Sequence, residues 1–202
     1  MSTIKTKKVQ LGTDATSANN FTLYQPATPD GTLRIGVGNA DSPTEVGQFN
    51  ANGYKPVSTN IPNFKATLSG HQSISNGTWT KIQFSNKAWD TTGDYDSTTN
   101  YRFTPSVAGY YFISCSGFAS TNTSTRPIVS VYKNGQESLG ISSAGVGTSS
   151  NGGANQIVSG FLYMNGTTDY LEGYYNHNFG SSVNLMNYGW ITFFQAILIQ
   201  QA

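Results

Sequence analysis

Two segments of this chain carry large apolar side chains on both faces of an extended backbone. In residues 109–118, Tyr110, Phe112 and Phe118 fall on one face, and Tyr111, Ile113 and Cys115 on the other. In 189–200, Trp190, Phe194, Ala196 and Leu198 share one face, while Ile191, Phe193, Ile197 and Ile199 share the opposite one. A sandwich strand with one side in water alternates apolar and polar residues. These two do not alternate, so each needs cover twice. The domain core supplies one cover; sister copies or a loop of the same chain supply the other. At about 25 cal/mol per Å² of apolar area, leaving such a face wet costs several kcal/mol. Tyr111, Ile113, Trp190, Phe193, Phe194, Ile197 and Leu198 are therefore the candidate subunit-interface or core residues, with a homo-oligomer as the simplest solution.

The rest of the chain reads as sheet as well. Candidate strands recur at 78–84, 101–104, 128–133, 156–164 and 170–175, separated by Asn76-Gly77, Asn134-Gly135, Gly152-Gly153 and Asn165-Gly166. Many short strands between such turns predict an all-β antiparallel sandwich. Charged residues make up only 10% of the 202, and the net charge is +1. That gives no electrostatic case for nucleic acid or an anionic membrane surface. No apolar run approaches the roughly 18 residues of a membrane span. The lysines of the first eight residues are not followed by the apolar stretch of a signal peptide. Cys115 is the single cysteine, so an internal disulfide and a cysteine zinc cage are excluded.

Composition shifts near residue 62. Residues 1–61 hold few large apolar side chains, spaced among turn signals such as Pro29-Asp30-Gly31 and Asn52-Gly53. Such a segment buries little, and we read 1–61 as an extended arm with short strands, ordered by sister chains or a larger body. Residues 62–202 form the knob.

The knob resembles a known family. Phe64, Lys65 and Ala66, followed by Trp79, Ile82 and Phe84, are similar to the opening strands of the complement globular-head domain, within the tumour-necrosis-factor jelly-roll superfamily. Asp90, Tyr95, Asp96, Thr99, Phe103, Pro105, Gly109 and Tyr111 follow with the spacing of that family's central signature. Val129–Gly135, Leu162–Leu171 and Phe194–Ile199 resemble its hairpin and closing strands. One extra residue between Tyr95 and Phe103, Asn100 and Ala196 at usual glycine positions, and Ile113 at an aromatic one are departures. The resemblance implies a jelly-roll β-sandwich that assembles as a tight homotrimer.

The arm also resembles something known. Lys8–Thr13, Asn20–Leu23, Pro29–Gly36 and Val46–Gly53 are similar to N-terminal segments of small structural proteins of tailed bacteriophages, the tail-fibre-like and capsid decoration proteins. This implies an anchor joined to a knob on a virion surface, with Lys5, Lys7, Lys8, Phe21 and Leu23 as candidate anchoring residues and a major capsid protein or tail components as partners. A solvated tail is the alternative for the lysine run.

Candidate chemistry is sparse. Cys115 with His71 or His177 suggests a thiol–imidazole pair, but Cys115 lies in a strand that reads as buried, and His177 in a loop that reads as surface. Asp90, Asp94 and Asp96 are the acidic cluster. They suit turn hydrogen bonds or a calcium ion, which some relatives of the resembled fold bind near their apex; a glycosidase-type acid pair is the remaining use. Tyr174, Tyr175, Phe179, Tyr188 and Trp190 suit either glycan or protein recognition, or a subunit contact. We expect no enzyme and no cofactor. The expected role is a virion-surface protein, a trimeric capsid decoration or cement protein, since no long fibre shaft is present. A short tail fibre or receptor-binding protein recognising a host-surface glycan or protein is the alternative, and a free lectin the next.

Overall fold

The computed structural model describes residues 8–16, 19–56, 61–120, 127–140 and 153–202. Lys5 and Lys7 lie outside them. The chain divides into two compact units, Met1–Thr59 and Asn60–Ala202. The described residues hold strands and turns, with no α-helix.

The first unit is a five-stranded antiparallel sheet, β1 (Lys8–Leu11), β2 (Phe21–Tyr24), β3 (Leu33–Val37), β4 (Thr44–Asn50) and β5 (Gly53–Pro56), paired in chain order. The anticipated short strands are present, but they pair with one another. Neighbouring strands joined by short turns close at low entropic cost, so a sheet forms here without a thick core. Asn20 staples the β1–β2 connection. Its buried side chain accepts from the Asp14 amide at 2.9 Å and donates to the Asp14 carbonyl at 2.8 Å. Arg34 ties the strands electrostatically, reaching both Asp30 and Glu45 at 2.7 Å.

The second unit is a sandwich of two antiparallel sheets. In the larger, β12 (Ala108–Ala119) lies between β15 (Ala154–Asn165) and β18 (Phe193–Gln201); β6 (Asn63–Thr67) and β9 (Asn86–Asp90) continue outward from β18. At the end of β12, β17 (Val183–Leu185) pairs with Ala119 and with β7 (Gln72–Ile74). The smaller sheet runs β10 (Tyr95–Asp96), β11 (Arg102–Phe103), β16 (Leu171–Asn176), β13 (Ile128–Lys133), β14 (Gln136–Gly140), with β8 (Thr80–Lys81) beside β16.

The core between the sheets is built by the residues that carried the resemblance. Phe64, Phe84, Tyr95, Phe103, Tyr111, Val129, Val131, Leu171 and Phe194 are all buried. Phe64 is their hub, stacked on Tyr95 at 4.6 Å and Phe103 at 4.5 Å and set edge-on to Phe194 at 5.1 Å. Ile113 and Ala196, the departures, are buried in the same core.

Three expected strands differ in extent. The 78–84 segment is a strand only over Thr80–Lys81, and 101–104 only over Arg102–Phe103. The last strand begins at Phe193, because the amides of Ile191 and Thr192 both return to the Tyr188 carbonyl at 2.8 Å and close a turn. Trp190 sits in that turn, 77% exposed, and is neither core nor a strand-face partner of Phe194.

At the β13–β14 turn, Asn134 (φ 54°) and Gly135 (φ 79°) both take the left-handed conformation that a two-residue hairpin demands. The Asn134 side chain also clasps the neighbouring loop, donating to Asp169 at 2.8 Å and accepting from the Tyr170 amide at 2.9 Å.

Tyr175 lies wholly inside the sandwich, and its hydroxyl is the buried side-chain polar group without a hydrogen-bond partner among the described residues. Burial also pushes its ionisation well above the ordinary tyrosine value. Removing an unpaired buried hydroxyl recovers its desolvation cost. Tyr175→Phe is therefore expected to hold or raise stability, by up to about 1 kcal/mol, in urea unfolding; a loss of about 1 kcal/mol or more would show a partner for the hydroxyl.

Candidate functional site: an open sheet face

Alternation along β12 sends Tyr111, Ile113 and Cys115 into the core and Tyr110, Phe112, Ser114, Ser116 and Phe118 to the outer side. The registers extend that outer side across neighbouring strands. Tyr110 stands opposite Tyr163, Phe112 opposite Phe161 and Ile197, and Ser116 opposite Ile157 and Phe193. The aromatic pairs touch, with ring centroids 5.5 Å apart for Tyr110–Tyr163 and 5.3 Å for Phe112–Phe161. Yet the face is open: Phe161 is 62% exposed, Ile157 53% and Tyr110 50%. A groove of about 180 Å³ runs along its β6–β18 side, lined by Asn63, Trp89, Phe112, Gln195 and Ile197. Lys65 lies over the rings of Trp89 and Phe193 at 5.8 and 5.1 Å, its charge resting on aromatic faces. Contiguous apolar surface of this kind marks an interaction face.

The candidates for interface or core fall into two groups, with Trp190, in its exposed turn, in neither. Tyr111, Ile113 and Phe194 belong to the core, and Leu198 packs against it. Phe193 and Ile197 lie on the open face. Trp89, Ile157, Phe161 and Tyr163 on the same face were not singled out from the sequence. The signal for β15 was there: Ile157, Phe161 and Tyr163 alternate with Val158, Leu162 and Met164, a third strand apolar on both sides.

The three aspartates serve three turns rather than one centre. Asp90 accepts from the amides of Gly93, Asp94 and Tyr95 and from Lys87. Asp94 accepts from the Thr92 and Ser106 hydroxyls. Asp96 accepts from the amides of Thr98, Thr99 and Asn100. No group of three potential metal-ligating side chains occurs among the described residues.

The Thr99 and Thr98 amides, with the Asn100 amide and side chain behind them, hold the Asp96 carboxyl well below the ordinary aspartate value. A carboxyl lowered in the folded state contributes stability above its unfolded value, near about 3.9, and loses it as pH falls further. Asp96→Asn is accordingly expected to lower the neutral plateau of the melting-temperature profile by a few degrees and to flatten its acid limb below about pH 4, where the two proteins converge. An acid limb as steep as that of the parent would remove Asp96 from the account.

His177 corrects the surface reading. It is buried and stacked on Phe179 at 4.6 Å, with Nε2 3.1 Å from the Ile74 carbonyl and Nδ1 accepting from the Phe179 amide at 3.4 Å. Acceptance at Nδ1 leaves Nε2 as the donor, so both ring nitrogens are spent on structure. Burial pushes the Cys115 thiol far above its ordinary range, which makes it inert as a nucleophile. Lys8 is held by the Ala40 carbonyl at 2.6 Å, Phe21 is exposed and Leu23 is half-buried, both on the first sheet.

The second unit is a jelly-roll sandwich. Among solved structures it is similar to the Eiger TNF of S. frugiperda (11% identity, 70% of this chain and 92% of that chain, TM-score 0.50). It is also similar to vertex protein P5 of phage PRD1 (17% identity, 69% of this chain and 98% of that chain, TM-score 0.51). No protein-family model and no curated protein matches the sequence.

Proposed function

We propose that this chain is a non-enzymatic structural protein of a phage virion. Its jelly rolls assemble as a homotrimer through the open face of the larger sheet, and its N-terminal unit attaches the knob to the capsid as a decoration or cement protein. The observation that carries the reading is the apolar outer side of β12, β15 and β18, which a single copy leaves in water. Similarity in fold to a protein whose name places it at a viral vertex supports the virion assignment. The spent side chains of His177 and the sealed thiol of Cys115 support a structural rather than catalytic role.

A second reading, a short tail fibre or receptor-binding protein, is favoured by Trp190. Its ring is 77% exposed and lies nearly parallel to that of Tyr188 at 6.3 Å, on a hydrogen-bonded turn. Rigid exposed aromatics of this kind suit contact with a host glycan or protein.

Quantitative mass spectrometry of purified particles separates the two. Decoration expects on the order of hundreds of copies per virion, set by the many equivalent positions of a shell. A few tens or fewer would overturn decoration in favour of the tail.

A further inference from the structure

Among the described residues, the N-terminal sheet has one apolar side and no second layer of its own. Directly opposed residues of antiparallel strands point to the same side. Val9 opposes Leu23 and Leu11 opposes Phe21; Leu23 opposes Ile35 and Phe21 opposes Val37; Leu33 opposes Phe49. These apolar residues therefore share one side of the sheet. Lys8, Gln10, Thr22, Tyr24, Arg34 and Gln48 oppose one another on the reverse side, where Arg34 also pairs with Glu45. The loop before β4 lies over that reverse side, since a Cβ added at Gly36 would stand 2.7 Å from the Cβ of Pro43. Among the described residues the apolar side has no such cover: Val9, Leu11, Phe21 and Leu33 are all exposed. Sheets bury an apolar side against a second layer, and this unit contains none of its own among the described residues.

We propose that the missing layer is the same sheet from the sister chains, so that the N-terminal units of a trimer pack apolar side to apolar side around a common axis. This rests on the trimer reading above and extends it to the other end of the chain. Two observations choose sister copies over a foreign body. First, the apolar side carries no charged side chain among the described residues; the charges sit on the reverse. A foreign partner is oriented by complementary charge and polar groups, whereas an apolar side packed on its own copy needs none. Second, the area is small. Five strands at about 4.8 Å spacing, each about five residues at about 3.3 Å, give a side on the order of 400 Å². Stable interfaces bury about 800 Å² per partner, so this side does not hold two free molecules together. Copies already gathered by their jelly rolls meet at roughly millimolar effective concentration, where a small apolar contact suffices. Phe21 and Leu23 then face sister chains, and the reverse side, with Tyr24, Arg34 and Gln48, is what remains for attachment.

The test uses Leu23→Cys in the full chain, with Gln48→Cys on the reverse side as control. Cys115 is sealed in the core, so the introduced thiol is the reactive one. Both variants are first weighed by light scattering. The expected result is a trimer in which maleimide labels the thiol at position 23 at least about tenfold more slowly than the thiol at position 48. Mild oxidation should yield covalent dimers for the Leu23→Cys variant alone. A trimer whose Leu23→Cys thiol reacts as fast as the control and forms no dimer overturns this inference and leaves the jelly-roll trimer standing. A monomer by scattering overturns both.

Discussion

Phe161→Glu is expected to convert the proposed trimer of this chain to monomers while leaving the sandwich folded. Phe161 projects from β15 beside Phe112 on the open face and is 62% exposed in a single copy. There a glutamate remains hydrated, and surface substitutions of this kind change stability by about 0.5 kcal/mol or less. In the assembled face the same carboxylate is surrounded by apolar side chains from another copy, and burying an unpaired charge costs several kcal/mol. The cost recurs at every equivalent contact, so the mass from light scattering should fall to one third, with far-ultraviolet dichroism unchanged. Phe161→Tyr keeps the ring without adding a charge, and it should remain trimeric. A Phe161→Glu protein that still weighs as a trimer would show that assembly uses another surface.

Phe64→Ala should be the most damaging single truncation in the second unit. The ring is 1% exposed and is the aromatic that Tyr95, Phe103 and Phe194 all meet. Removing a fully buried phenylalanine loses its transfer free energy and opens a cavity that neighbouring rings fill poorly, about 3–5 kcal/mol in all. Folded domains keep only about 5–15 kcal/mol in hand. The melting temperature should therefore drop by on the order of 10 °C, or the cooperative transition should vanish. Trp190→Ala, at a solvent-exposed turn, is the matched control and should shift melting by no more than a degree or two. Equal shifts for the two would contradict the placement of Phe64 at the centre of the core.

Much of the sandwich is legible in the residues themselves, and the reasons are local. In β12 the apolar side chains on both sides announce both a core and a second contact, and the structure divides them as alternation requires. Phe84, Tyr95, Phe103 and Tyr111 are recognisable through the family signature they resemble, and all four lie in the one buried core cluster. What escaped depends on distant partners. The 189–192 segment has strand-forming residues, but backbone bonds to Tyr188 bend it into a turn. His177 looks like a loop residue, but it stacks on Phe179 and bonds to the Ile74 carbonyl, far away in sequence. The two-sided character of β15 was obscured by Ser159 and Gly160 in its middle; a Cβ at Gly160 would come within 2.8 Å of the end of the Leu139 side chain. In the first unit the pairing of strands follows from turns rather than from a core. A reading based on buried apolar area therefore finds the short strands but not their pairing into one sheet.

The placement of β18 between β12 and β6 sets the order in which this protein comes into being. Residues 193–201 leave the ribosome after every other described strand, yet they fill the middle of the larger sheet. Until they emerge, β12 and β6 have an unfilled slot between them, with facing amides and carbonyls unpaired and the Phe64 cluster lacking Phe194. Closure joins residues more than a hundred positions apart, the kind of contact that makes folding slow and late. A nascent chain of this design stays open until β18 has been made, and its burden on cellular holdases is concentrated in that interval.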